Sequence, residues 1–222
     1  MIAAPRPPEH GNLTGGEIRV WDVPVRAVHW AQAALVVISV ATGFTGGNAL
    51  RIHRRSGYAL LVLVVFRVLW GFLGGRHARF AAFLRGPRAV VAFVRDTAAA
   101  RRPACAGHNP LAGWMVLALL AVLLVQGATG LFANDDIAFE GPLAAVVSKA
   151  VSDLLTSMHR TDAILLLALV AMHLGAVLFH VVVERRNPVP AMFTGRKRWT
   201  GGLDAPEPGP SSTWLAAALF VA

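Results

Sequence analysis

Four histidines, His29, His53, His159 and His173, fall within or at the mouths of long apolar runs in a chain that is otherwise poor in charge. An imidazole in hydrocarbon is costly unless something satisfies it, so ionisable residues at such positions mark function. A metal that accepts a neutral ring nitrogen is one such partner. Taken singly, a histidine at a span end is most often an interfacial hydrogen-bonding group, so the spacing of the four has to decide. His180 follows His173 by one heptad, while His10, His77 and His108 lie outside the apolar runs and read as solvated or interfacial.

The elements that must position these residues are membrane helices. About 20 mostly apolar residues cross a hydrocarbon core of roughly 30 Å, and four stretches qualify: 28–46, 57–75, 111–133 and 162–183. The expected organisation is an arm over residues 1–27, a four-span transmembrane domain over 28–183, and a tail over 184–222. The tail's apolar end, Trp214 to Ala222, is too short to span. No cleavable signal is expected before the first span, since residues 1–27 carry Pro, Gly and charge without a short apolar core.

Basic residues orient the chain. Fifteen Lys or Arg fall in the arm, in the loop between spans two and three, and after span four. Only Arg51, Arg54, Arg55, Lys149 and Arg160 lie on the other side, beside Asp135, Asp136, Glu140 and Asp153. Positive-inside bias therefore predicts a multi-pass membrane protein with both termini cytoplasmic. Two loop segments carry apolar residues at helical spacing and are expected to lie on the membrane surface. One is the outer run Leu143 to Met158, with Ser148, Lys149, Ser152 and Asp153 on its polar face; the other is the inner run starting at Pro87. Either equally fits a docking surface for another subunit. The fold class is all-α, an integral membrane four-helix bundle.

Depth then pairs the histidines. Spans two and four enter from the outside, so His53 and His159 start at one level; His173 lies fourteen residues further on, about 21 Å deeper at 1.5 Å per residue. His29 opens span one from the inside and shares that inner level. Fourteen residues are nearly four turns, so His159 and His173 project from almost the same helix face. Two pairs, each joining different helices, are what bis-His ligation of a flat haem iron needs. His180 remains an alternative partner for His29. Arg67 sits fourteen residues below His53, at the depth of His173, and needs a counter-charge there. A haem propionate would supply it, and snorkelling to inner headgroups is the competing explanation. Gly43, Gly57, Gly127, Gly130 and Gly175 offer close approach to a helix or a macrocycle.

Composition excludes several classes. The 222 residues are 55% hydrophobic and 15% charged, with net charge +9, against roughly 25% charged in ordinary soluble domains. Such a chain suits anionic lipid rather than nucleic acid. The single Cys105 excludes a disulfide framework, Cys-rich metal clusters and covalent haem attachment through C-x-x-C-H.

Several runs are similar to a known group: VWDVPVRAVHW from Val20, TGF at Thr42, RIHRRSGY around His53, RVLWGFLGGRHARFAAFLRGP from Arg67, GHNPLAGWMVLALL from Gly107, and MHR with AMHLGAVLFH. They resemble the bacterial cytochrome b561 group, which includes the membrane cytochrome b subunits of nickel-iron hydrogenases. The resemblance covers residues 18–198. It implies two haem b per chain, His53 and His159 binding the outer and His29 and His173 the inner, with His180 a further histidine not usually a ligand. It also implies electron transfer with quinone and with a redox protein such as a hydrogenase, dehydrogenase or c-type cytochrome. A membrane anchor or assembly subunit with structural haem is the alternative; a metal transporter is disfavoured, since the spans hold no Asp or Glu beyond the edge residue Asp162.

Overall fold

In the computed structural model, residues 17–99, 107–198 and 216 are described. His10, Cys105 and the tail beyond residue 198, Ala216 apart, therefore lie outside the described residues. Helix α1 spans Val23–Thr45, α2 Leu50–Leu73, α3 Phe80–Phe83, α4 Pro87–Ala98, α5 Pro110–Gly130, α6 Lys149–Val182 and α7 Val189–Thr194. Four of these, α1, α2 with its preceding turn, α5 and α6, are long and apolar enough to cross a membrane.

Local chemistry sets their starts. The Asp22 carboxylate accepts from Val25 N at 2.9 Å and caps α1, while Pro24 supplies a preset φ in the first turn. The helix thus begins at Val23 rather than near Val28. Asn109 caps α5 in the same way, accepting from Ala112 N at 2.7 Å, with Pro110 as the first helical residue. Between α1 and α2 the chain reverses through Gly46 and Gly47, both at positive φ (68° and 53°), a conformation that favours glycine. Helix α2 then starts at Leu50, so Arg51, His53, Arg54 and Arg55 occupy its first turns instead of a loop.

The outer run expected as a separate surface helix is merged into span four. After a short 3-10 turn at Ala144–Val146, the Ser148 side chain caps α6, accepting from Val151 N, and the helix runs for 34 residues. No Gly or Pro interrupts it before Gly175, so nothing stops propagation. Its length is about 51 Å, well beyond a hydrocarbon core. The polar face of its first turns is not simply solvated. Ser152 is buried and donates to Phe132 O at 2.7 Å, and Asn134 reaches Ser152 Oγ at 2.6 Å and Asp153 Oδ1 at 3.0 Å. The inner run does stand alone as α4, starting at Pro87 and packed on α5.

The spans pack in the order α1, α2, α5, α6. One cluster joins Val25, Val28, Leu63, Phe66 and Trp70, and includes Ala216; a second joins Leu60, Val64, Leu120, Leu123 and Leu166. Helix α6 packs along α5 but has no extended packing against α1 or α2. Large apolar side chains such as Val37, Val62, Leu174 and Leu178 point outward, as lipid contact requires. The end bearing most of the Arg, called the basic end below, is tied by an antiparallel pair, β1 (Glu17–Arg19) with β2 (Arg196–Arg198). Gly195, at φ 77°, turns the chain into β2, and its carbonyl accepts from Val20 N and Trp21 N at 2.9 and 3.2 Å. Helix α7 docks on α1 through Trp30, which donates to Met192 O at 3.2 Å and stacks on Phe193.

Candidate functional site

At the far end, opposite the basic one, α2 and α6 bring His53 and His159 together with ring centroids 5.9 Å apart and planes nearly perpendicular. Both rings are anchored alike. His53 Nδ1 lies 2.8 Å from Ser39 O, and His159 Nδ1 lies 2.9 Å from Gln126 O. A carbonyl can only accept, so each Nδ1 carries the proton and each Nε2 is left as an acceptor; that of His159 accepts from the Gln126 side-chain amide at 3.2 Å.

Those carbonyls are reachable for a reason that repeats on two helices. Four residues beyond Ser39 is Gly43, and four beyond Gln126 is Gly130. A Cβ on Gly43 would lie 2.9 Å from His53 Nδ1, and one on Gly130 would lie 3.0 Å from His159 Cε1. The threonine before each glycine folds back on its own helix: Thr42 Oγ1 donates to Ile38 O at 2.6 Å and Thr129 Oγ1 to Val125 O at 2.7 Å. The sequence Ala-Thr-Gly thus occurs once in α1 and once in α5, each time as a notch into which an imidazole from the next span fits. Gly127 instead admits Leu61 between α2 and α5, and a Cβ on Gly57 or Gly175 would meet nothing within 4 Å.

At the basic end, α1 and α6 bring His29 and His173 together, with centroids 6.4 Å apart and planes at 59°. Here the rings are not anchored to backbone. His29 Nδ1 is buried without a hydrogen-bond partner, and His173 hydrogen-bonds to none of the described residues. His180 lies elsewhere, with Nδ1 2.7 Å from the Glu184 carboxylate.

Arg67 is 6% exposed, with Nη1 unpartnered and its guanidinium 5.7 Å from the Phe80 ring. Asp22 lies in the same region, its second oxygen accepting from Trp70 Nε1 at 3.1 Å. His108 is not a solvated loop residue. It sits between Trp21 and Phe83, with centroids 4.5 and 4.7 Å away. Burial, reinforced first by the charge of Arg67 and then by His77, His173 and His29, pushes its pKa down to about 3. His77 is held below the usual histidine range by burial and by Arg76. Arg54 and Arg55 are exposed.

Both pairs have the spacing of axial ligands to one iron. Two metal–imidazole bonds of about 2 Å, with roughly 1.1 Å from each ring nitrogen to its centroid, place ring centroids roughly 6.2 Å apart. The observed 5.9 and 6.4 Å bracket that value. Among the described residues no three His, Cys, Asp or Glu side chains converge as a metal site.

Sequence reasoning missed Gln126, Asp22, Trp70 and the burial of His108. Gln126 had a signal, as a lone amide in an otherwise apolar run. So did Asp22, an N-cap residue followed by Val-Pro.

Four membrane-crossing helices carrying two imidazole pairs at different depths define a multi-pass membrane protein built around paired histidines. The chain belongs to the prokaryotic cytochrome b561 family, whose model matches residues 20–195; the family implies b-type haem. It is 28% identical over 119 residues to the probable Ni/Fe-hydrogenase B-type cytochrome subunit of Bradyrhizobium diazoefficiens (strain JCM 10833 / BCRC 13528 / IAM 13628 / NBRC 14792 / USDA 110), covering 43% of this chain and 48% of that protein. To the protein of the same description from Rhizobium leguminosarum bv. viciae it is 30% identical over 139 residues, covering 51% of this chain and 58% of that one. The chain thus spans about half the length of the curated relatives it matches. No solved structure matches it significantly.

Proposed function

We propose that this protein is a di-haem electron carrier that moves electrons through the membrane between a redox partner and quinone or another carrier. The observation that carries the reading is the pair of two-histidine sets, far end and basic end, each at the spacing of one six-coordinate iron. His53 and His159 would hold one haem b through Nε2, and His29 and His173 the other. Haem held between two histidines would supply a one-electron iron couple, suited to changing oxidation state rather than to binding substrate.

The chain's residues do the rest. Ser39 O and Gln126 O fix the tautomer and orientation of the far imidazoles. Gly43 and Gly130 leave room for those rings. Arg67 provides a buried cation for a propionate at the basic end. Apolar side chains on all four spans keep water out and solvent reorganisation small. The excess of Arg at the basic end supports its facing the cytoplasm. The relatives' descriptions support a hydrogenase as the class of redox partner.

Purified protein should contain two b-type haems per chain that dithionite reduces, and quinol or a soluble redox partner should reduce them as well. Absence of haem, or bound zinc or nickel in its place, would refute this reading. Haem that no quinol or protein partner can reduce would leave only a structural role in anchoring a complex.

A further inference from the structure

Helix α4 (Pro87–Ala98) is the longest described helix that does not cross the membrane, and its sides differ sharply. Val90, Phe93, Asp96 and Thr97 are half-buried and recur at helical spacing, so their side turns toward α5, on which the helix packs. Val91 and Val94 point away from the protein, 66% and 49% exposed. At 3.6 residues per turn Arg88 and Arg95 occupy the arc directly beside these two valines. Both arginine side chains are exposed, and neither pairs with an acid among the described residues.

The height of this face is set by α5. Phe83, the last residue of α3, is buried, and a Cβ on Gly113 would meet its carbonyl oxygen at 2.8 Å. Next to Gly113, Trp114 Nε1 donates to Arg85 O at 2.9 Å, and Pro87 opens α4 two residues after that carbonyl. Gly113 and Trp114 lie only three and four residues into α5, about 6 Å from its basic end. Trp114 is half-exposed, as an indole at a membrane–water boundary is. The start of α4 is therefore pinned at the headgroup level of a membrane-crossing helix.

An apolar strip bordered by cations at that level fits a lipid surface. Protein interfaces are anchored by large aromatic side chains, whereas the exposed strip of α4 offers only valines. Asp96, the one acid of the helix, is half-buried on the side facing the protein and leaves the outer face positive.

We propose that α4 is a lipid-docking helix: Val91 and Val94 enter the leaflet at the basic end, while Arg88 and Arg95, with the exposed Arg85 just before them, hold headgroups of anionic phospholipid. A phosphatidylglycerol headgroup keeps its net negative charge and a phosphatidylcholine headgroup has none, so the first gathers around α4 in preference to the second.

The test uses the haem-loaded, full-length protein in nanodiscs that mix the two lipids. Val91→Cys, on a Cys105→Ser background, carries a fluorophore, and the quencher is nitroxide-labelled phosphatidylglycerol or nitroxide-labelled phosphatidylcholine. The phosphatidylglycerol quencher should act severalfold more strongly. Arg88→Gln together with Arg95→Gln should lower that preference by about fivefold per arginine removed at low salt, and lysine at both positions should restore most of it. A label reached by aqueous iodide and by neither lipid would place α4 in water and overturn the proposal. A label reached by none of the three would place α4 against a second copy of the chain, which also overturns it. Equal quenching by the two lipids, or a preference that survives loss of both arginines, would overturn the assignment of anionic headgroups to Arg88 and Arg95.

Discussion

The far-end and basic-end histidine pairs are built from the same parts yet held by opposite means. At the far end, backbone does the positioning: two helix carbonyls, each exposed by a glycine one turn further on, grip the two rings. At the basic end neither ring is hydrogen-bonded to a described residue, and Asp22, Trp70, Arg67, Trp21 and His108 form a buried to half-buried polar and aromatic layer in the same region. A backbone anchor fixes one geometry and tautomer. A layer of side chains instead sets local charge and the packing of the helix start. The two ends therefore respond to different substitutions.

The largest effect separates them outright. His53→Ala and His159→Ala should each abolish the same haem and spare the other, while His29→Ala and His173→Ala should do the converse, read as haem per chain in the reduced spectrum. Loss of different haems within a pair would break the comparison. Gly43→Val or Gly130→Val comes next, because even a Cβ would meet His53 at 2.9 Å or His159 at 3.0 Å. Most far-end haem should be lost at unchanged basic-end occupancy, and equal loss at both ends would show general misfolding.

Asp22→Ala tests the basic end. It removes a helix cap, about 1 kcal/mol, and strands the buried Trp70 N–H, about 1–3 kcal/mol. Thermal stability should fall accordingly, with the far-end haem spectrum intact; Asp22→Asn should recover only the capping part, since its single amide oxygen replaces the acceptor for Val25 N and leaves an NH2 donor facing Trp70 Nε1. The smallest effect concerns pH. His108 binds a proton near pH 6.5 when unfolded but only near pH 3 when folded, so the unfolded state takes up more protons between those values and stability falls as pH falls. His108→Phe should flatten the decline of Tm between about pH 6.5 and 4; an unchanged slope would place the acid sensitivity elsewhere.

The four spans were legible because runs of apolar residues have few other physical uses. Merging of the outer loop helix into α6 was not. Its amphipathic pattern resembles that of a surface helix, and what decides continuity is the lack of a breaker together with Asn134 and Phe132 folding onto its polar face. The pairing of His53 with His159 and of His29 with His173 followed from residue counting, because helical rise is fixed at about 1.5 Å. The burial of His108 could not follow, since Trp21, Phe83 and His108 are far apart in sequence and share no period.

By itself the sequence determined the number of spans, the depth of each histidine and the non-covalent character of any haem, since these depend on local hydropathy, helical rise and the single cysteine. Tertiary structure alone decided what each imidazole leans on. A carbonyl of α1 or α5 becomes a histidine anchor only when another helix presents its ring at that height and rotation. The distinction between an anchored far pair and an unanchored basic-end pair therefore comes from helix packing and cannot be read from residue type.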